Sequence, residues 1–318
     1  MERTFDWGPT MPRRCLLILI AAFLVALPAS RAWAQATISF AQLNGTVVDS
    51  AGRTIAGAVV SVRAVETNQA QSTTSSTTGS YVLPNLPPGQ YELTVQVSGF
   101  GRYTRSGIVL TVGQTATIDV TLTVASVKET VIVTTEAPVI EPTRTEISQV
   151  IDTQQIADLP TNSRRFTDFA LLTPGVATSR TGLGSTFTEF EVTQISFGGM
   201  RSFSNEITVD GADFVNTISG VQRSTPPQEA VQEFRVVNNS FGSDYGRALG
   251  GIVNVVTKSG TNTLHGSVYD YFQNNATDAR TVLQPSPLPY ALRQNQFGGA
   301  LGGPIKKDKT FFLSLIHI

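Results

Sequence analysis

Catalytic and metal-binding side chains are scarce in this sequence. It holds one cysteine, Cys15, and two histidines, His265 and His317. A zinc site draws on several Cys, His or carboxylate ligands, and a nucleophile triad needs a placed imidazole. Cys15 lies in a segment expected to be removed on export, so the mature protein is read as having no thiol, disulfide or thiolate metal site. Enzyme readings lose most of their support here, and neither a cofactor nor a metal is expected. Charge is also thin: 15% of residues are charged, where about a quarter is usual for soluble domains. Basic and acidic residues nearly balance, 23 against 24. No Lys/Arg cluster can track a phosphate backbone, so nucleic acid is not an expected partner. Neither Gly182-Leu183-Gly184 nor the glycine run at 298–303 is followed by the Lys-Ser/Thr of a phosphate-binding loop.

Long apolar runs are missing too. Leu16 to Leu27 is unbroken but spans about 12 residues, whereas a membrane helix needs about 20. Arg13 and Arg14 precede it, and Ala32-Trp33-Ala34 follows Pro28 as a cleavage signal. Residues 1–34 therefore read as a signal peptide cut after Ala34, with Met11 a natural start and Gln35 the expected mature N-terminus.

What the sequence does have is alternation. In Tyr91-Glu92-Leu93-Thr94-Val95-Gln96-Val97 the odd positions are apolar. Ala116, Ile118, Val120, Leu122 and Val124 make a second stripe, and Ala58, Val60, Val62 and Ala64 a third. Period two marks half-buried antiparallel strands. Turn signals separate them at Asp49–Gly52, Thr78-Gly79, Pro87-Pro88-Gly89 and Ser98-Gly99. The spacing predicts a sandwich of about seven strands over 40–125. Such a module can be a plain scaffold without chemistry of its own.

The order Gly45-Thr46-Val47-Val48-Asp49, Gly57-Ala58-Val59-Val60, Thr78-Gly79-Ser80-Tyr81, Leu86-Pro87-Pro88-Gly89-Gln90-Tyr91 and Ser98-Gly99-Phe100 resembles the carboxypeptidase-regulatory-like domain. That resemblance implies a prealbumin-like, carbohydrate-binding-like β-sandwich with a structural or sugar-contacting role, and no peptidase activity. A sugar platform would draw on Tyr81, Tyr91, Phe100 or Tyr103, although Tyr91 sits on the apolar stripe and fits the core.

Residues 126–145 change character. Glu129, Thr130, Val131, Ile132 and Val133 form an extended stretch, and Pro138 and Pro142 bar it from a central strand. It is either the end of the sandwich with a plain linker, or a TonB box, a segment that a periplasmic partner captures by strand addition. Beyond it, Asp152 can cap a helix over Thr153–Leu159, and Ser163 a second over Arg164–Leu172 with Phe166, Phe169 and Ala170 buried. Asp210-Gly211 is a hairpin turn after Ile207–Val209, and a short acidic helix over Gln228–Glu233 leads into Phe234–Val237.

Ile195–Arg201, Thr208-Val209-Asp210-Gly211 and Tyr245–Lys258 are similar, in order and spacing, to the plug domain of TonB-dependent receptors. Phe197 replaces the family's arginine before glycine, and Val236-Val237-Asn238 its arginine-glycine-proline, so plug–barrel ion pairs built on those arginines are not expected. Gly246, Gly250 and Gly251 would permit close backbone approach. Asp210 reads as a turn residue rather than half of an acid/base pair with Asp213. Arg201, Phe203 and Asn205 would lie on an apical loop, contacting solute or simply exposed.

After Lys258–Asn262 the chain reads as transmembrane strands. Leu264–Gln273 has the length of one tilted crossing, with Tyr269, Tyr271 and Phe272. Asn295–Pro304 followed by Lys307–Phe312 resembles a strand–turn–strand of the Oar-like subgroup. The fold class expected from these resemblances is mainly β: sandwich, α+β plug over 146–258, and the first strands of a truncated transmembrane β-barrel over 259–313. A bilayer tolerates no open sheet edge, so more barrel is expected than this sequence carries. Ser314–Ile318 departs from the family pattern and is read as non-native. The resemblance implies outer-membrane residence among lipid, with sandwich and TonB box in the periplasm. It also implies a TonB-type energy-coupling partner and uptake of a large solute: oligosaccharide, peptide or siderophore. The rival is a surface module that binds carbohydrate or protein without transport.

Overall fold

The computed structural model describes residues 39–124, 130–133, 141, 146–159, 161, 164–178, 195–201, 204–215, 226–238, 240–242, 245–277 and 293–318. The leader expected at 1–34, with its cut at Ala34, lies outside them, and all that follows falls within the unit Ala36–Ile318.

Two sheets make the sandwich. One carries β4 (Ser80–Leu86) beside β1 (Ala41–Asp49), which also pairs in parallel with β7 (Thr115–Thr117) and β8 (Val120–Leu122). The other runs β3 (Ala70–Thr74), β2 (Val59–Ala64), β5 (Gly89–Gln96), β6 (Arg102–Leu110), β9 (Thr130–Val133). All three sequence stripes face inward, with Val60, Leu93, Val95, Ile118 and Val120 essentially inaccessible. Fully burying such a side chain contributes about 1.5–3 kcal/mol. Val124 departs from its stripe: it is exposed and bridges only Phe100.

The strand expected over Thr115–Val124 is split, and the cause is Asp119. Its carboxylate accepts from both the Thr46 N–H (2.8 Å) and hydroxyl (2.7 Å), replacing main-chain ladder bonds where β7 gives way to β8. The Ile118 carbonyl bulges towards Gly45, where a Cβ would lie 1.9 Å from it. Only glycine fits that approach. This split, with β9 added, turns the expected seven strands into nine.

The plug is a five-stranded sheet in the order β10 (Ile147–Ile151), β15 (Val231–Asn238), β16 (Gly251–Thr257), β13 (Glu206–Val209), β14 (Ala212–Asp213). A separate pair joins β11 (Val176–Thr178) to β12 (Ile195–Phe197). Helix α1 spans Thr153–Asp158, and Asp152 and Gln155 cap each other's main chain reciprocally. The second helix is corrected: it is a 3-10 turn over Phe166–Leu172, with Arg165 at its N-cap and no side-chain cap. Ser163 lies outside the described residues, and Arg164 has φ +53°, which excludes it from the helix. Phe166 and Phe169 are buried as expected, with ring centroids 5.6 and 6.5 Å from Phe234. The acidic helix shrinks to a 3-10 turn over Gln228–Ala230, because Val231 already pairs in β15. Asp210 and Gly211, φ +50° and +82°, turn β13 into β14.

The last sheet holds β17 (His265–Asn274), β18 (Arg293–Lys306) and β19 (Thr310–His317), all antiparallel. Its register puts Leu264, Val268, Phe272, Phe297, Leu301 and Ile316 on one face, all of them exposed. Tyr269 and Tyr271 share the other, which explains why the alternation in sequence looked imperfect. β19 continues through the stretch read as non-native, pairing as far as His317 with Gly298. Among the described residues no helix is long and apolar enough to cross a membrane, which bears only on helices.

Candidate functional site

Thr130–Val133 forms β9, in parallel register with Arg102–Arg105 of β6. Among the described residues it is the last strand of its sheet, so one side of its backbone pairs and the other meets no described strand. Glu129 lies outside the described residues. An edge strand of four residues offers a row of main-chain donors and acceptors, the requirement for strand addition.

Further along the linker, Glu141 and Glu146 converge on Arg235 of β15. Arg235 Nη2 stands 3.3 Å from Glu141 Oε1, and Nη1 3.6 Å from Glu146 Oε1. Nη1 also donates to the Gly113 carbonyl of the sandwich at 3.1 Å. Beside it on the same strand, Glu233 accepts the Val112 N–H. Burial pushes the Glu233 carboxyl up to about 7; the Val112 N–H and the Arg235 charge oppose the shift, and Asp152 adds to it. The Ser39 hydroxyl donates to Asn254 Oδ1 at 3.1 Å, and the Asn262 N–H to the Glu66 carbonyl at 3.0 Å. Sandwich, linker and plug thus meet on β15 and β16.

Plug and barrel strands also touch. Arg164 pairs with Glu229 and stacks its guanidinium 3.3 Å from the centroid of Tyr271. The two stretches that depart from the resembled pattern, at Phe197 and at Val236-Val237-Asn238, are both buried. Phe197 is wholly buried, and a Cβ on Gly251 would lie 2.3 Å from its ring, so glycine gives the ring its place. Asn238 donates to the Pro174 carbonyl at 2.6 Å. Gly250 is similarly tight against Asn205, whereas a Cβ on Gly246 would meet nothing within 4 Å among the described residues.

The expected apical trio separates. Arg201 is exposed, Phe203 lies outside the described residues, and Asn205 is buried with its amide donating to the Ile195 carbonyl at 2.7 Å. Asn205 is therefore corrected from solute contact to an internal brace between β12 and β13. The sugar platform is corrected as well. Tyr81, Tyr91 and Tyr103 are core residues, Phe100 packs against that core, and the first two hydroxyls donate to the Ile118 and Pro87 carbonyls, each at 2.7 Å. Asp210 binds the Thr257 N–H and hydroxyl at 2.9 and 2.8 Å, and Asp213 pairs with Arg247, so these carboxylates shape a turn.

A cleft of about 770 Å³ lies between the sandwich turn at Pro87–Gly89 and Phe311–Leu313. Among the described residues that line it, Glu66 is the one that carries charge. Among the described residues no cluster of three metal-ligating side chains occurs.

Family models match this chain in three consecutive places. A carboxypeptidase regulatory-like domain matches residues 42–123, a TonB-dependent receptor plug domain 143–252, and an outer membrane beta barrel domain 256–314. The TonB-dependent transporter Oar of Myxococcus xanthus is 29% identical over 312 residues, covering 93% of this chain and 28% of Oar. The probable TonB-dependent siderophore receptor PirA of Acinetobacter baumannii is 28% identical over 172 residues, 50% of this chain and 21% of PirA. The crystal structure of that species' siderophore receptor PirA aligns over 54% of this chain and 24% of its own, with 27% identity and a TM-score of 0.40. This chain spans about a quarter of the length of these curated relatives, at 28% and 21%.

Proposed function

We propose that this chain, which carries the sandwich, plug and first barrel strands of a TonB-dependent outer-membrane receptor, serves energy-coupled uptake of a large solute. Thr130–Val133 is the segment its TonB-type partner grips. The observation that carries this reading is the place of β9: among the described residues it is an edge strand, and it lies in the chain between the sandwich and the first plug strand. A pull there reaches Glu141, Glu146 and β10 before any other part of the plug. The solute belongs to the oligosaccharide, peptide or siderophore classes; the siderophore receptor PirA is one relative at 28% identity. The sandwich and the coupling strand face the periplasm, where the partner can reach them.

Proline is the diagnostic substitution, since it deletes a main-chain donor and fixes φ. Val131→Pro in the protein with a complete barrel abolishes partner binding and uptake, while export and barrel assembly stay normal. Val131→Ala does much less, because the main-chain bonds survive. A Val131→Pro protein that transports normally moves the coupling segment elsewhere and leaves β9 as the end of the sandwich.

A further inference from the structure

Arg235 is the largest fully buried side chain among the described residues. Three groups remote from it in the chain hold it: the sandwich loop through the Gly113 carbonyl, the linker through Glu141, and the entry to β10 through Glu146. Its Nε has no hydrogen-bond partner among the described residues, so charge rather than complete hydrogen bonding keeps it in place. Two residues earlier, Glu233 takes the N–H of Val112. Consecutive sandwich residues, Val112 and Gly113, are therefore held by Glu233 and by Arg235, the residue that the linker's acids also grip.

We propose that Arg235 is a clasp between linker and sandwich, such that withdrawing Glu141 and Glu146 loosens the Thr111–Gln114 loop from the plug. The proposal rests on the coupling reading only for the direction of the pull. With both carboxylates gone, the buried guanidinium keeps one carbonyl. A lone buried charge is far costlier than a paired one, and admitting water relieves it. Gly113, bonded to that guanidinium, and Val112, bonded to Glu233, are the sandwich contacts that give way with it. Drawing out the linker and releasing the sandwich become one event. Arg235 acts here as a positioning residue and touches no solute.

Cysteine labelling tests this without partner or solute. A cysteine replaces Val112, whose buried contact to Glu233 is through its main chain, and Cys15 is changed to Ala. Maleimide labelling of the full protein is compared with and without Glu141→Gln and Glu146→Gln together. Labelling through local opening is expected to be about tenfold faster in the double variant, with circular dichroism and barrel assembly unchanged. Arg235→Lys, which keeps charge but loses the fork, gives a smaller increase and serves if the double variant fails to assemble. A linker that becomes cleavable by protease at 142–145 while the Val112 position stays as protected as before overturns the clasp. So does an Arg235→Lys protein that labels at the parent rate. Loss of the coupling reading through Val131→Pro leaves the labelling result untouched, so the two ideas fail separately.

Discussion

The sandwich closes its interior on Leu43, Val60, Leu83, Leu93, Val95 and Ile118 and buries few polar residues, among them Asp49, Ser75 and Gln114. The plug buries Arg235, Glu233, Asn238, Asn254, Asn205, Thr208 and Gln228 beside its phenylalanines and valines. The difference extends to where the partners lie. Asp49 is satisfied by its own turn, through the Ala51 and Arg53 N–H groups, each at 2.9 Å. Gln114 accepts from Thr111, three residues away. In the plug, Asn254 reaches Ser39, Glu233 reaches Val112 and Arg235 reaches Gly113 and Glu141, 94 to 215 residues distant. A core satisfied locally can be stable alone. A core satisfied by distant segments changes when those segments move.

The largest expected effect tests whether the sandwich is self-contained. Leu93 is wholly buried, and Leu93→Ala should cost about 2–5 kcal/mol. Hydrogen exchange followed by mass spectrometry should show that loss across β2, β5 and β6 and leave β15 and β16 as protected as before. Equal loss in the plug strands would make the two regions one cooperative unit and erase the contrast.

Next in size is a pH effect specific to the plug. The Glu233 carboxyl stands at about 7 in the folded chain against an ordinary 4.5, chiefly through burial. The folded state therefore holds this proton more tightly than the unfolded state. Its stabilising contribution is complete below about 4.5, falls as pH rises to about 7, and is level above that, a loss of roughly 3 kcal/mol at most. Denaturant titrations at about pH 5 and about pH 8 should show the slope, and Glu233→Gln should flatten it. An unchanged slope in that variant would assign the pH dependence to other groups.

A smaller effect is expected where Phe197 packs against β16. Gly251→Ala sets a methyl 2.3 Å from the Phe197 ring and should destabilise the plug by about 1–3 kcal/mol. Phe197→Leu in the same chain should restore part of that. No loss in Gly251→Ala would mean that the ring has room to move, and that the glycine does not exist to seat it.

The same contrast governs what the sequence revealed. Sandwich strands are covered on one face, so their period of two is visible in Tyr91–Val97, and the inward stripe was legible residue by residue. β15 is covered on both faces, with Phe234, Arg235, Val236 and Val237 all buried. That erases alternation, and nothing local marks Arg235 as internal. Its partners Glu141 and Glu146 sit in a proline-flanked linker that composition reads only as extended. Asn205 was misplaced for a similar reason: an asparagine between turn signals looks exposed, and its burial depends on Ile195, ten residues back. Gly45 did carry a signal, though not of the Asp119 bulge that requires it. The β17–β19 faces became clear only with the cross-strand register, because the tyrosines on the opposite face disguise the alternation.

The smallest expected effect lies where sequence and structure agree most closely, at the start of α1. Asp152 accepts the Gln155 N–H at 2.8 Å, and the Gln155 side chain accepts the Asp152 N–H at 3.2 Å. Both bonds are exposed, so water competes for each group. The helix is only six residues long and one of them, Ile156, is buried. A helix this short is not stable by itself, and its cap matters mainly for the angle at which β10 enters it. Asp152→Ala should therefore cost about 0.5–2 kcal/mol, with Asp152→Asn or Asp152→Ser recovering most of it. Because Asp152 also raises the Glu233 carboxyl through its charge, the Asn variant should lower that titration slightly while keeping the cap. A larger loss in Asp152→Ala than in Gly251→Ala would show that α1, rather than the packing of β16 on Phe197, holds the plug's first strand in place.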